Sequence, residues 1–288
     1  MNTFKKIVFP VDFSARSSAT VPSVQAMVKR FGSELTVLHV VDLPPAAGIA
    51  PPEAGAWATL MSVERLRESG KISLDRFIAQ EFPEMPVKGE LAEGDPAAMI
   101  VDCARESGAD LIMMPTSGLG RFRRLLLGSV TAKVLHDTAV PVWTGVHDAD
   151  VAAHPPDRWK RMLCALDDDP RDLPVLQWAA GFAAEQNLEL RLVHAVLSLK
   201  ESDQDPSFRE FIFNIARERM DELQDKAGTD FEVCLQAGKS GRVVHQSALG
   251  HCADLIVIGR GVIQKPFGRL RSGAYEIIRD APCPVISV

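Results

Sequence analysis

Aromatic side chains are scarce in this chain, at 6% of its 288 residues, and basic residues are outnumbered by acidic ones, giving a formal net charge of -6. A polyanion would meet neither a positive field nor a set of stacking platforms, so nucleic acid is excluded as a partner. No stretch approaches the roughly eighteen consecutive apolar residues that a membrane-spanning helix requires. The N-terminal run Met1-Asn2-Thr3-Phe4-Lys5-Lys6 leads straight into a short apolar strand pattern rather than a cleavable signal. The reading is of a cytoplasmic protein with no membrane partner. The five cysteines, Cys103, Cys164, Cys234, Cys252 and Cys283, are odd in number and lack C-x-x-C spacing, which excludes a disulfide frame and a zinc site. Most of them read as small buried core residues.

An internal repeat organises what is present. Ala109-Asp110-Leu111-Ile112 recurs as Ala253-Asp254-Leu255-Ile256, 144 residues on, and Pro141-Val142 recurs as Pro284-Val285, 143 residues on. The opening run from Lys5 to Asp12 recurs from Lys160 to Asp167 at an offset of 155. Two domains follow, residues 1–147 and 158–288, each long enough to bury a core. The linker from His147 to Asp157 contains His154-Pro155-Pro156, and the stretch from Pro44 to Gly55 reads as an insertion specific to the first copy.

Within the first copy, strand patterns at Lys6 to Val11, Glu34 to Val41, Val87 to Leu91, Asp110 to Met114 and Val140 to Val146 alternate with helical ones. The helices are expected at Ser14 to Phe31, Ala56 to Glu81, Pro96 to Ser107 and Ser129 to Asp137. Near-continuous Val, Ile and Leu runs joined by helices indicate parallel strands covered on both faces. The fold class is therefore α/β, with two tandem open parallel five-stranded sheets flanked by helices, Rossmann-like. In such sheets ligands bind beyond the carboxyl ends of the strands, at the switch point of strand order. That places Asp12, Val40, Met114 and the loop from Gly118 to Gly128 on one rim.

The loop carries the chemistry. Gly118 and Gly120 allow close backbone approach, and Gly128-Ser129-Val130 offers helix N–H groups and a hydroxyl, a combination suited to phosphate. Arg121, Arg123 and Arg124 add positive charge beside it. The alternative for Gly128-Ser129 is a tight loop with a capped helix. Asp12 can cap the following helix or accept a hydrogen bond from a ligand, and one residue can do both. His39 and His194 occupy equivalent strand positions and read as satisfied core histidines, while His136 reads as a surface residue. Asp167, followed by Asp168 and Asp169, reads as a cap plus solvated charge.

These features together resemble the universal stress protein family over essentially the whole chain, in two copies. The carriers are the first strand ending in Asp12, His39-Val40-Val41, Gly94-Asp95-Pro96, and G-x9-G-S-V followed by Pro141-Val142. The resemblance implies an adenine nucleotide alpha hydrolase-like fold and an ATP-binding role in stress-response regulation. By resemblance, Gly118, Gly128, Ser129 and Val130 hold phosphates, Val11, Asp12 and Val40 meet the adenine and sugar, and Met114 lines the pocket. ATP, with or without Mg2+, is the implied cofactor.

The sequence departs from the family's G-x2-G-x9-G-S/T loop at its first glycine, where Pro115 stands without an N–H to donate. In the second copy Gly259 keeps the first position, Val262 replaces the second glycine and Arg271 the third, so no ATP is expected there in the family's manner. Arg260, Lys265, Arg269 and Arg271 leave another anion as an option. No Walker lysine is present and no residue is identified to orient an attacking water, so at most slow ATP hydrolysis is expected. A slow ATPase or phosphotransfer switch and a nucleotide-free interaction scaffold are the alternative functions. The last strand of each copy would leave an exposed edge. Pairing of these edges gives a pseudo-dimer within one chain, with homodimerisation and an unknown protein partner left open.

Overall fold

The computed structural model describes residues 4–42, 55–116, 127–146, 155–169, 171–196, 205–260 and 272–288. In chain order the first half contains β1 (Lys6–Pro10), α1 (Ala15–Phe31), β2 (Glu34–Val41), α2 (Gly55–Glu81), β3 (Val87–Glu93), α3 (Pro96–Ser107), β4 (Leu111–Met114), α4 (Ser129–Asp137) and β5 (Val142–Thr144). The second half repeats the plan with β6 (Arg161–Leu166), α5 (Asp172–Gln186), β7 (Glu189–Val196), α6 (Pro206–Ala227), β8 (Val233–Ala237), α7 (Ser240–His251), β9 (Leu255–Ile258), α8 (Ser272–Asp280) and β10 (Val285–Ser287). A single turn of 3-10 helix at Pro156–Arg158 lies at the end of the expected linker. Proline is compatible with the first position of such a turn because that N–H has no intrahelical partner.

Local chemistry accounts for the boundaries. Ser14 caps α1, its Oγ accepting from the Ser17 N–H at 3.2 Å, and Gly32 ends the helix in the left-handed region at φ 61°. Asp95 caps α3 by accepting from the Ala98 N–H at 2.9 Å, with Pro96 in the first turn. The repeated Ala-Asp-Leu-Ile segment has its own structural task. Asp110 Oδ2 accepts from the Lys5 and Lys6 N–H groups, each at 2.9 Å, and Asp254 Oδ2 accepts from those of Lys160 and Arg161 at 2.8 and 3.0 Å. Each carboxylate thus fastens the start of its half's first strand at the end of the sheet opposite the rim.

The strands form one ten-stranded sheet in the order β3-β2-β1-β4-β5-β10-β9-β6-β7-β8. Each half is parallel throughout, and the two join where β10 runs antiparallel to β5, pairing Val285 with Thr144, Ile286 with Trp143 and Ser287 with Val142. The two expected sheets are therefore halves of one, because each would otherwise leave its last strand unpaired. One face carries a core that includes Ile7, Phe9, Leu111, Trp143, Met162 and Phe182. The other carries Val8, Ile112, Met114, Val134, Ile256 and Ile278. The strict alternation of a strand explains the split, since Ile7 and Val8 point to opposite faces.

The junction between halves is apolar on the α1 and α5 side. Phe182 lies 5.5 Å from Phe4 and 6.3 Å from Phe31 between ring centroids, and stacks on Trp178 at 5.1 Å. Arg30 donates to the Pro156 carbonyl and to Gln186 Oε1, tying α1 to the second half. Trp143 Nε1 and Ser287 Oγ are buried at the seam without a partner among the described residues. Each such group costs on the order of 1–3 kcal/mol, a cost opposed by the buried rings, each worth about 1.5–3 kcal/mol.

Candidate functional site

Strand order reverses direction at β1 in the first half, with β2 on one side and β4 on the other. The crevice at the carboxyl ends of β1 and β4 is the switch point, bounded by Val11 and Asp12 on one side and Met114 and Pro115 on the other. Helix α4 begins beside it. Its first residue is preceded by Gly128 at φ -61° and ψ 145°, with no side-chain cap. Any residue can adopt that backbone, so no unusual turn requires the glycine. The Ser129, Val130 and Thr131 N–H groups head a helix whose dipole favours an anion.

Four of the expected site residues share the α4 side of the sheet. Met114 is buried in the same apolar cluster against which Val40 and Val130 pack, with Leu127 beside them, and Ser129 is exposed at the helix entry. Val11 is placed differently, because its side chain belongs to the core of the opposite face. Its backbone alone reaches the rim, and there its N–H donates to the Leu38 carbonyl at 2.8 Å while its carbonyl accepts from His39 Nδ1 at 2.9 Å. The carbonyl can only accept, so the His39 proton sits on Nδ1. His39 is thus a satisfied structural histidine, as is His194, whose Nδ1 meets the Leu166 carbonyl at 2.9 Å.

Asp12 is half-buried and its Oδ1 accepts from the Ser14 N–H at 3.0 Å and the Ser17 hydroxyl at 2.7 Å. It organises the turn into α1, while the cap itself is Ser14. Phe13 follows in the left-handed region at φ 57°, a strained position for an aromatic residue. Its ring is held 4.3 Å from that of His39 and 5.7 Å from that of Phe77. Pro115 has no amide hydrogen, but its carbonyl accepts from Thr131 Oγ1 at 3.1 Å, and the Thr116 carbonyl accepts from the Gly128 N–H at 2.8 Å. These two bonds join the end of β4 to the start of α4. Lys133, one turn into α4, pairs with Asp95 at 2.9 Å, and this bond with the Ala98 N–H holds the Asp95 carboxyl below its ordinary range. Gly118, Gly120, Arg121, Arg123 and Arg124 lie outside the described residues, as do residues 44–54 of the stretch expected to be an insertion.

The second half builds the same turn from different parts. Asp168 stands at φ 63° in the place of Phe13 and pairs with Arg219 of α6, while Asp169 pairs with Arg171. Asp172 replaces Ser17, and its buried carboxylate accepts from the Asp167 and Asp169 N–H groups at 2.8 and 3.0 Å. Burial pushes the Asp172 carboxyl above its ordinary range. Asp167 is exposed and does not cap α5, whose cap position is Arg171. Gly259 is retained for packing: a Cβ there would stand 2.8 Å from Val175 Cγ2. Arg260, considered for an anion, instead donates to the Thr138 and Ala139 carbonyls at 2.6 and 3.2 Å, across the seam at the end of α4. Burial pushes its guanidinium down to about 10, still charged at neutral pH. A cavity of about 740 Å³ lies between this rim and α4, lined by Asp167, Trp178, Gly259 and Arg260. Lys265, Arg269 and Arg271 lie outside the described residues.

The remaining side chains supply little reactive chemistry. Cys103, Cys164 and Cys283 are buried, and burial pushes the Cys103 thiol up to about 12 and the other two higher, so they are inert core groups. Cys234 is half-buried and Cys252 is exposed. Among the described residues no group of three His, Cys, Asp or Glu side chains could hold a metal ion. No described helix is long and apolar enough to cross a membrane.

Comparison with known proteins agrees with this fold. The model of the universal stress protein family matches residues 3–144 and again 158–288. Universal stress protein MJ0531 of Methanocaldococcus jannaschii is 36% identical over 143 residues, 49% of this chain and 81% of the relative. Universal stress protein Rv2005c of Mycobacterium tuberculosis is 27% identical over 190 residues, 66% of this chain and 63% of its own. A universal stress protein structure from Archaeoglobus fulgidus covers 100% of this chain and 97% of its own, with a TM-score of 0.67 at 23% identity, a likeness of fold. With both halves matched by the same model and the same α/β plan, the chain belongs to the universal stress protein family.

Proposed function

We propose that residues 1–147 form an adenine-nucleotide-binding domain that takes ATP, with or without Mg2+, and that residues 158–288 form a partner domain that takes none. The observation that carries this reading is the α4 N-terminus, without a side-chain cap, joined to the end of β4 at the switch point of the first half. Family membership supports it, through the glycine-serine loop that ATP-binding members use. In the proposed complex the phosphates lie on Gly128, Ser129 and Val130, with Gly118 in the same loop. Val40 and Met114 offer the base an apolar wall, and Asp12 offers an acceptor for the base or sugar. Pro115 contributes its ring but no amide. The occupied state would regulate partners in a stress response in the cytoplasm.

The nucleotide-free scaffold is the alternative that Pro115 favours, since it has no amide N–H to offer a ligand. Thermal melting with and without Mg-ATP separates the two. Ligand at one hundred times its Kd adds roughly 2.7 kcal/mol, which moves the midpoint of a chain of this size by several degrees. The expected result is a shift in wild type that Gly128→Glu abolishes. No shift, in protein free of co-purified nucleotide, would favour the scaffold.

A further inference from the structure

The chain contains one tyrosine, Tyr275, and its hydroxyl accepts a hydrogen bond from the Leu127 N–H at 2.8 Å. Leu127 belongs to the first half and immediately precedes Gly128-Ser129, whereas Tyr275 lies on α8 of the second. The bond therefore crosses the seam and ends at the helix entry offered to phosphate.

The two sides of this bond are well anchored. Leu127 is buried, and Leu127, Val130 and Tyr275 share the apolar cluster on one face of the sheet. Helix α8 is set tightly on α7, because a Cβ at Gly241 would stand 2.8 Å from Glu276 Cβ, and His245 Nδ1 donates to the Asp280 carbonyl at 2.6 Å. Tyr275 thus stands on a packed element rather than a pliant one. The repeat makes the contact one-sided: at the 143-residue offset the counterpart of Tyr275 is Ala132, which has no hydroxyl to return.

We infer that Tyr275 is a positioning residue through which the second half sets the Leu127-Gly128-Ser129 entry of the first half for phosphate. Together with the Thr116–Gly128 and Thr131–Pro115 bonds, it holds the entry from two sides, β4 and α8. An entry that must be ordered at the moment of binding weakens affinity, and one held in advance does not. The second half, which is proposed to take no nucleotide, then contributes to the affinity of the half that does. The inference rests on the nucleotide reading above.

The test is Tyr275→Phe in the full chain, which keeps the ring and removes the acceptor. Loss of one hydrogen bond predicts a Kd for Mg-ATP about three- to tenfold weaker. Competition with adenosine should be unchanged, because the effect is at the phosphate end. Hydrogen exchange should show the Leu127 amide protected in wild type and released in the variant, with the strands unaltered. Equal ATP affinities, or equal losses for ATP and adenosine, would overturn the positioning role while leaving the nucleotide site standing. A wild type that binds no ATP would sink the nucleotide reading and this inference with it.

Discussion

The two rims share a backbone and differ in what holds it. Both place a left-handed residue after the strand-end aspartate, Phe13 in the first half and Asp168 in the second. In the first, Phe13 is held by the His39 and Phe77 rings, and hydroxyls of Ser14 and Ser17 close the turn. In the second, Arg219 and Arg171 hold Asp168 and Asp169, and the buried Asp172 carboxylate takes the place of Ser17. Repetition of a backbone therefore does not preserve the side chains that hold it. The second rim has committed its glycine to Val175 and its arginine to the carbonyls at the end of α4.

The largest expected effect concerns what both halves share. Phe182→Ala empties a fully buried position that touches rings from both halves, and should cost about 3–5 kcal/mol in urea denaturation. A cost near zero would mean that the halves are stable without this junction.

A paired substitution sharpens the contrast between rims. Asp12→Ala removes an acceptor of two hydrogen bonds and should cost about 1–3 kcal/mol, while Asp167→Ala should stay within about 0.5 kcal/mol, as surface changes do. Equal costs would erase the distinction. Gly259→Ala should cost about 1–3 kcal/mol by overpacking, partly recovered in combination with Val175→Ala, with nucleotide stoichiometry unchanged. A neutral Gly259→Ala would deny its packing role.

The smallest effect is one of pH. Asp172 is raised by burial, so the unfolded chain ionises it first, near pH 4. From there up to the higher folded value the folded state binds more protons, and wild type loses stability with rising pH. Measured against Asp172→Asn, which does not titrate, the stability difference should fall across that window. A rising difference would mean that its two backbone hydrogen bonds outweigh burial.

Much of the fold was legible because it depends on neighbours in sequence. The spans Glu34–Val41, Pro96–Ser107 and Ser129–Asp137 are found where the patterns placed them. Strand β5 is shorter than expected from Val140 to Val146, and β1 and β4 each begin or end a residue inside the expected span. The contacts that spacing did not reveal are long-range: Tyr275 to Leu127, Arg260 to Thr138, and Phe182 to Phe4. Asp172 escaped notice for another reason. It sits just beyond three consecutive aspartates, where a buried carboxylate and a solvated one read alike, and only the fold turns it toward the backbone of Asp167. The side chain of Val11 went to the opposite face because strand alternation continues past the last paired residue.

The proposed difference between the halves, nucleotide in one and none in the other, is read by the number of Mg-ATP molecules bound per chain. Equilibrium dialysis of the full chain should give one, falling to none in Gly128→Glu. Two per chain would show that the second rim still binds despite its ion pairs, and none in wild type would show that Pro115 has closed the first.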